Sequence, residues 1–558
     1  MAYFLKKTPR NNTIYLSIYE SFYNHDKKNT AHKSYKSLGS IDKLIKQGIE
    51  DPIAFYQNEV DELNDKRSIE GTKKISNKSP RCYAGHFLLS SVMNKLNVKK
   101  YIDLFKYSKS FKFELYDLLS SLIYCRAIEP CSKHKTYVDV LPYLYGSYDY
   151  SYDQMLDGLS FFGDNYKKVV EIFTTSVGQV YGIDTSKTYF DCTNFYFEID
   201  REDKIRKKGP SKEFRKDPII GLGLLLDNNL IPIGMEMYPG NESERPIIRN
   251  VVDNLKKQNN ITGRTIHVAD KGINCINNIA FSKENGDGYL FSKSVKQLPK
   301  IEKEWILLDN DYKAVTDSNG VVKYLYKSCI DKFPYKVEYE GKEVTIELTE
   351  KRLVTYNPSL ATKKREEIHK MIDKAKSLTL SQAKKKEYGE SGKYVNFTDG
   401  KGGKASVSIN QDAIDKDLRL AGYNLLVTSE TEVSDADIYE TYHRLWRIEE
   451  SFRIMKSELY ARPVFLKLES TIKGHFLICY LTVLILRLLE FKEFGSRFCN
   501  SEILRFIRKF ELIKIDSNYV NISTTSAISD YLSKTTPLPV ENYHLSATNL
   551  KKFFNYSL

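Results

Sequence analysis

Residues 188–193 read TYFDCT and residues 219–226 read IIGLGLLL, and these two runs decide the fold. Both are short, rich in aromatic or aliphatic residues and flanked by polar stretches, as strands buried in a sheet are. Asp227-Asn228-Asn229 is a turn and Leu230 to Tyr238 returns from it, so residues 219–238 read as a β-hairpin. Ser243 to Lys257 then has helical spacing, and Thr265 to Asp270 (TIHVAD) is a strand. Asn274 to Lys283 is a helix and Tyr289 to Ser294 (YLFSKS) another strand. Three strands, a helix, a strand, a helix and a strand specify a mixed α/β unit. Asp191 stands inside the first of these strands, where an acid without a task is expensive. Asp270 ends the fourth, at the carboxyl edge where ligands of such sheets gather.

Outward from this unit the pattern changes on both sides. Between Lys300 and Leu420, Val321 to Tyr326, Tyr335 to Tyr339, Glu343 to Leu348 and Arg352 to Tyr356 alternate like antiparallel strands. A basic helix at Ser359 to Ser377 and a Gly/Lys-rich loop at Gly389 to Lys404 follow. This stretch reads as an insertion, after which Tyr423 to Ser429 (YNLLVTS) resumes the core. Upstream, Gly85 to Tyr181 is mainly helical in spacing. Asn12 to Tyr23 and Thr30 to Leu38, around the turn residues Asn24 to Asn29, form a basic β-hairpin; Asp65 to Pro80 is a polar linker. The expected divisions are a hairpin module (1–65), a helical domain (66–184), a first core part (185–299), the insertion (300–420), a second core part (421–490) and a C-terminal region (491–558), read as helical and a candidate for dimerisation.

The second core part contains YHRLWRIEESFRIMK, Tyr442 to Lys456. Tyr442, Glu449 and Lys456 are seven apart, so two helical turns return each to nearly the same face. Ser434 and Asp437 have capping-box spacing and set the helix start near 434. Alone, this stripe is an amphipathic core helix with a solvated charged edge. The other reading is an acid, flanked by a cation and aromatics, that holds a metal beside a phosphate. With 72 acids in the chain, only the combination of Asp191, Asp270 and Glu449 within one α/β unit raises the signal. Carboxylates converging from two strands and a helix can hold two divalent metals for in-line phosphoryl displacement. Glu450 adjoins Glu449 but points about 100° away from Tyr442 and Lys456, which favours Glu449.

The formal net charge of +13 favours a polyanionic partner. Basic residues outnumber acids nine to three in residues 1–48, eight to three in 201–216 and nine to three in 359–386. Each cluster alone suits a solvated face; three on one chain suit a long nucleic acid. Eight scattered cysteines without a C-x-x-C pair imply free thiols in a reducing cytoplasm. Cys82, His86, Cys131 and His134 could converge on a metal, although their spacing fits no standard zinc module. No N-terminal signal is visible, because polar Thr8 to Thr13 rather than an apolar run follows Met1 to Lys7, and the apolar run Phe476 to Leu486 is too short to span a bilayer and reads as a buried helix. Two tryptophans and basic rather than aromatic tracts argue against a polysaccharide hydrolase.

These motifs resemble the DDE transposases of bacterial insertion sequences, and more narrowly the insertion-sequence-four superfamily. Its last acid sits in the pattern Y-x2-R-x3-E-x6-K, matched by Tyr442, Glu449 and Lys456. The pattern's Arg falls on Leu445, with Arg444 one residue early and Arg453 on the Glu449 face. D-x-T at Asp191 and Thr193, V-A-D-K-G at Val268 to Gly272, and the run from Asp217 to Glu244 complete the resemblance, over roughly residues 185–490. It implies an RNase H-like core interrupted by a β-rich insertion. It also implies Asp191, Asp270 and Glu449 as catalytic ligands of two Mg²⁺ ions, with Mn²⁺ able to substitute. Cleavage at the element's ends and transfer of the 3′-hydroxyl into target DNA would follow. Tyr442, Arg444, Arg453 and Lys456 would contact DNA, and the partners would be the terminal inverted repeats, target DNA and a second copy in the synaptic complex. The N-terminal hairpin module is either the end-recognition element or a small structural domain. A co-opted DNA-binding protein without catalysis is the competing expectation.

Overall fold

The computed structural model describes residues 2–10, 13–24, 29–69, 79–105, 111–212, 216–258, 260–339, 342–380, 385–398, 406–515 and 518–558. The chain divides into two compact units, Met1–Ser79 and Pro80–Leu558.

The first unit is a three-stranded antiparallel sheet, β1 (Tyr3–Arg10), β2 (Thr13–Asn24) and β3 (Asn29–Ser40), followed by helices Ile41–Lys46 and Pro52–Ile69. The Asn64 side chain accepts from the Tyr3 backbone N–H at 2.7 Å and donates to its carbonyl at 3.0 Å, tying the second helix to β1. Leu16, Ile18, Leu44 and Val60 fill the small core. The expected hairpin thus has a third strand, whose YFLKKTPR sequence carries too little apolar alternation to betray it. Most of the expected linker, residues 70–78, and the tip of the hairpin turn, residues 25–28, lie outside the described residues.

The second unit is built on a nine-stranded mixed sheet. Its first five strands are β5 (Lys187–Tyr196), β6 (Ile219–Leu226), β7 (Pro232–Pro239), β8 (Ile266–Ala269) and β9 (Gly288–Lys293), preceded in the chain by β4 (Arg81–Tyr83) of a smaller sheet. Then come β10 (Lys313–Thr316), β11 (Val322–Tyr339), β12 (Lys342–Tyr356), a separate ribbon of β13 (Val395–Thr398) and β14 (Ser406–Ile409), and β15 (Tyr423–Thr428). The order across the sheet is β10-β11-β12-β15-β9-β8-β5-β6-β7. β5, β8 and β9 run parallel; the other neighbours are antiparallel. Every residue of β6 is buried, as its continuous apolar run requires.

Two features of the insertion differ from expectation. The four short strands read from the sequence are two long ones, because Ser328 to Pro334 and Thr349 to Lys351 stay extended despite their polar residues. They also join the core: β12 pairs with β15 in register from Lys351↔Thr428 to Tyr356↔Tyr423. The basic helix Pro358–Leu380 buries Ala361, Ile368, Ile372 and Ala375 and exposes Lys363, Lys364, Arg365, Lys370, Lys374 and Lys376. In the Gly/Lys-rich loop, residues 399–404 lie outside the described ones.

One face of the sheet packs on helices Ile247–Lys257 and Ile276–Glu284. The other packs on helices Leu115–Ile128, Tyr152–Asp164, Tyr166–Tyr181 and Glu469–Leu488, so the segment expected to be a separate helical domain shares its core with the sheet. The helix Glu469–Leu488 and its continuation to Glu493 are long and apolar enough to cross a bilayer, but 94% of the apolar window is buried inside the protein. The apolar run read from the sequence is the middle of this helix, which is the core of the unit. It crosses Tyr152–Asp164 closely, and at the crossing Ser160 Oγ donates to Ser470 Oγ at 2.7 Å. A Cβ at Gly163 would lie 1.7 Å from the Ser470 carbonyl oxygen, and one at Gly474 2.2 Å from that of Leu159. Gly163→Ala is therefore expected to cost about 3 kcal/mol by forcing the helices apart. An unchanged urea midpoint would contradict that close crossing.

The C-terminal region is not only helical. β16 (Glu511–Ile515), β17 (Asn518–Asn521) and β18 (His544–Ser546) form a four-stranded sheet with β4, in the order β18-β17-β16-β4. Arg81 clasps Glu511 through two hydrogen bonds, Nε at 2.9 Å and Nη2 at 2.6 Å. The eight cysteines are free. Among the described residues no three His, Cys, Asp or Glu side chains gather to hold a metal, which removes the Cys82, His86, Cys131, His134 reading. His86 is instead buried against the Tyr145 carbonyl, 3.1 Å from Nε2, and burial pushes its pKa down to about 3.

Candidate active site

β5 and β8 pair in parallel, with Phe190 opposite Ala269 as the last matched residues. The next residue on each chain is an aspartate, so Asp191 and Asp270 stand side by side where β8 ends and its chain turns away. Behind them a buried chain of hydrogen bonds fixes the strands. Thr188 Oγ1 on β5 meets His267 Nδ1 on β8 at 2.9 Å, and His267 Nε2 meets Asp287 Oδ2, just before β9, at 3.0 Å. Lys256 adds an ion pair to Asp287 at 2.6 Å.

Around Asp191 the charges are concentrated. Its Oδ1 accepts from the Cys192 backbone N–H at 2.7 Å. The Lys212 ammonium lies 3.9 Å from Asp191 Oδ1 and 3.3 Å from Glu244 Oε1, and it donates to the Cys192 carbonyl. Burial pushes the Asp191 carboxyl up to about 6, helped by Glu244 and Asp270 and opposed by Lys212 and the Cys192 N–H. Burial also works against the Lys212 charge, but Asp191 and Glu244 outweigh it and hold its pKa above the usual lysine value. A cavity of about 440 Å³ opens beside this group, lined by Asn194, Lys212, Tyr238, Glu244, Arg245 and Gly272. Lys212 and Glu244 escaped the sequence reading: one is lost in a basic tract, the other in the loop after β7, and no spacing marks either.

The segment 442–456 is not one regular helix. Ser434 caps helix Asp435–His443 by accepting from the Asp437 N–H at 3.1 Å, as its spacing indicated. At 444–448 the backbone tightens into i→i−3 bonds, from Leu445 to Tyr442, Arg447 to Arg444 and Ile448 to Leu445. Helix Trp446–Arg453 follows and opens into a π-turn at Ile454–Glu458. Both ends of the Tyr442/Glu449/Lys456 stripe are fastened to the site strands. The Tyr442 hydroxyl donates to Asp270 Oδ1 at 2.9 Å, and the Lys456 ammonium lies 5.3 Å from the Phe195 ring on β5.

Glu449, between them, is exposed and makes no hydrogen bond or ion pair among the described residues. Glu450 is the opposite. It pairs with Arg447 at 2.9 Å, with Arg487 at 2.9 Å and with Arg453 at 3.6 Å. Burial works to raise the Glu450 pKa, but Arg487 and Arg447 outweigh it and hold it below the ordinary glutamate value. Glu450 is thus a structural acid.

The structure therefore brings Asp191, Asp270 and Tyr442 together and leaves Glu449 outside any gathered ligand set. Two of the expected DNA contacts also have other partners. Arg444 is bound to the β6–β7 turn, Nη1 to Asn228 Oδ1 at 3.2 Å and Nη2 to the Asn228 carbonyl at 2.8 Å. Tyr442 is engaged with Asp270. Arg453 keeps an exposed side chain beside its long contact to Glu450. In the 201–216 tract, Arg206 turns inward to Asp203 at 2.6 Å and to the Lys467 carbonyl at 3.3 Å.

The donor set still suits a hard divalent cation. Mg²⁺ is usually held by one or two carboxylates together with waters and substrate phosphates, not by a full protein cage. Asp191 and Asp270 could supply such a pair, and the Lys212 ammonium lies 3.9 Å from Asp191 and 3.3 Å from Glu244, as a cation drawn to these carboxylates would.

No curated protein matches the chain. A family model described as transposase DDE domain matches residues 198–485, just over half of the chain; Asp270 and Glu449 lie within this span, and Asp191 precedes it. The chain belongs to the DDE-domain transposases, enzymes whose partner is DNA.

Proposed function

We propose that this chain cleaves DNA at the ends of an insertion sequence and joins the freed 3′-hydroxyl to target DNA, in the manner of the insertion-sequence-four group. The observation that carries the reading is the lateral pairing of Asp191 and Asp270 at the end of β8. The strand order β7-β6-β5-β8-β9, with β5, β8 and β9 parallel, supports an RNase H-like core. Asp191 and Asp270 would hold the divalent ions, Mg²⁺ or Mn²⁺, and Glu449 would complete the set when DNA closes the site. Bound there, such ions supply Lewis-acid stabilisation of the pentacoordinate phosphate and an activated oxygen nucleophile. Tyr442 orients the Asp270 carboxylate through its hydroxyl. Lys456 and Arg453 would face the DNA phosphates, while Arg444 positions the helix by holding the β6–β7 turn. The exposed lysines of helix Pro358–Leu380 would add sequence-independent phosphate binding. A second copy would join it in the synaptic complex, one for each end.

The test is Mg²⁺-dependent cleavage of a duplex carrying the inverted repeats that flank the gene. Ends left intact at every divalent-ion concentration would overturn the reading. Metal binding has its own signature. A cation must displace the proton from Asp191, whose carboxyl stands at about 6. Mn²⁺ affinity measured by calorimetry should therefore fall about tenfold per pH unit below 6, where an ordinary carboxylate would hold to about 4. A flat affinity between pH 5 and 7 would separate the metal from Asp191.

A further inference from the structure

A second cluster of cations lies beyond the catalytic segment. Arg126 and Lys133 are 4% and 6% exposed, and no Asp or Glu pairs with either among the described residues. Arg126 donates to the Leu459 and Cys131 carbonyls, and its Nε has no hydrogen-bond partner. The Lys133 ammonium has one partner, His475 Nδ1 at 3.5 Å, which leaves donors unused. His475 Nε2 lies 2.9 Å from the Ala461 carbonyl, so the ring is a neutral imidazole with its proton on Nε2. Two buried cations with no counter-ion are costly to a fold, and an anion inserted between them would relieve that cost.

The space for one exists. A cavity of about 470 Å³, open to solvent, is lined by Arg126, Lys133 and His475 and by the loop Tyr460 to Leu466. That loop follows the π-turn carrying Lys456, and Arg462 lies over the Tyr196 ring at 4.8 Å, at the end of the strand that bears Asp191. From Asp191 to Tyr196 the strand spans about 17 Å. Tyr460 and Phe465 are 57% and 72% exposed at the cavity's wall and suit the faces of sugars or bases.

We propose that this cavity is an anion site that takes one backbone phosphate of the DNA strand leaving the Asp191/Asp270 pair past Lys456, with Lys133 and Arg126 as its donors. This rests on the DNA-cleaving reading above. Burial, with Arg126 adding to it, draws the Lys133 pKa down to about 7, and a bound phosphate would restore the full charge.

Two measurements on the full chain test it, with Lys133→Met beside the wild type. Inorganic phosphate, against chloride at equal ionic strength, should raise the melting temperature of the wild type and not of the variant. In a titration of end DNA, Lys133→Met should lose roughly tenfold in affinity, and its slope of log K against log salt should flatten by about 0.9. Removing an unpaired buried charge should not lower the variant's own melting temperature; a drop would mark Lys133 as structural and overturn the proposal. Phosphate stabilisation that survives Lys133→Met would also overturn it. Phosphate stabilisation lost while the DNA slope is unchanged would assign the site to free phosphate and overturn the DNA assignment. Phe465→Ala, a surface change, should weaken DNA binding several-fold and leave phosphate stabilisation intact; unchanged DNA affinity would contradict the placement of the strand. A wild type that binds no end DNA would sink the functional reading, while the phosphate measurement would still judge the cavity.

Discussion

Asp191→Asn is expected to slow single-turnover cleavage of end DNA by at least about 10³-fold while leaving DNA affinity within a few-fold of wild type. The substitution keeps the size of the side chain and its acceptor for the Cys192 N–H. Lys212 retains Glu244 at 3.3 Å and the Cys192 carbonyl, so no buried cation is orphaned. What is lost is one negative charge from a pair that faces the same space. With Asp191 holding a divalent ion as proposed, its loss would remove several kcal/mol of charge stabilisation in the transition state, which sets the size of the effect. DNA binding is proposed to rest on exposed cations elsewhere and should gain slightly from one fewer carboxylate. Cleavage within tenfold of wild type would remove Asp191 from the chemistry.

The strands β5 to β9 were legible because their apolar runs are buried in the sheet and bounded by turns, so position in the run marked Asp191 and Asp270 as exceptional. Where pairing is decided by distant residues, legibility ended. β16 finds β4 some 430 residues away, and nothing local in Glu511–Ile515 announces a strand. β11 and β12 looked interrupted because Asp331, Lys332 and Pro334 break the alternation, yet cross-strand partners keep them extended. The strand positions of Asp191 and Asp270 were legible, whereas side chains that a loop delivers, such as Lys212 and Glu244, were not. Periodicity placed Arg444 on a helix but could not say what that helix faces. The answer, Asn228, lies in a turn that was itself plain in the sequence.

The second large effect separates the adjacent glutamates. Glu450 sits against Arg487, a fully buried guanidinium that also pairs with Glu490 at 2.7 Å and donates to Ser451 Oγ at 3.1 Å. Glu450→Gln breaks a buried ion pair and is expected to cost roughly 3 kcal/mol of stability, read as a lower urea midpoint, with turnover per folded molecule retained. Glu449 makes no hydrogen bond or ion pair among the described residues, so Glu449→Gln should leave that midpoint unchanged. Its only expected loss is in chemistry, again at least about 10³-fold, because it is proposed to join Asp191 and Asp270 around the divalent ions once DNA is bound.

The most direct test of the account is single-turnover cleavage of end DNA in Mg²⁺ by Glu449→Gln, with Glu450→Gln measured beside it under conditions where both are folded. Glu449→Gln is expected to bind ends and fail to cut them, while Glu450→Gln cuts at close to the wild-type rate. Wild-type cleavage by Glu449→Gln would contradict the assignment of this carboxylate, and with it the three-acid centre.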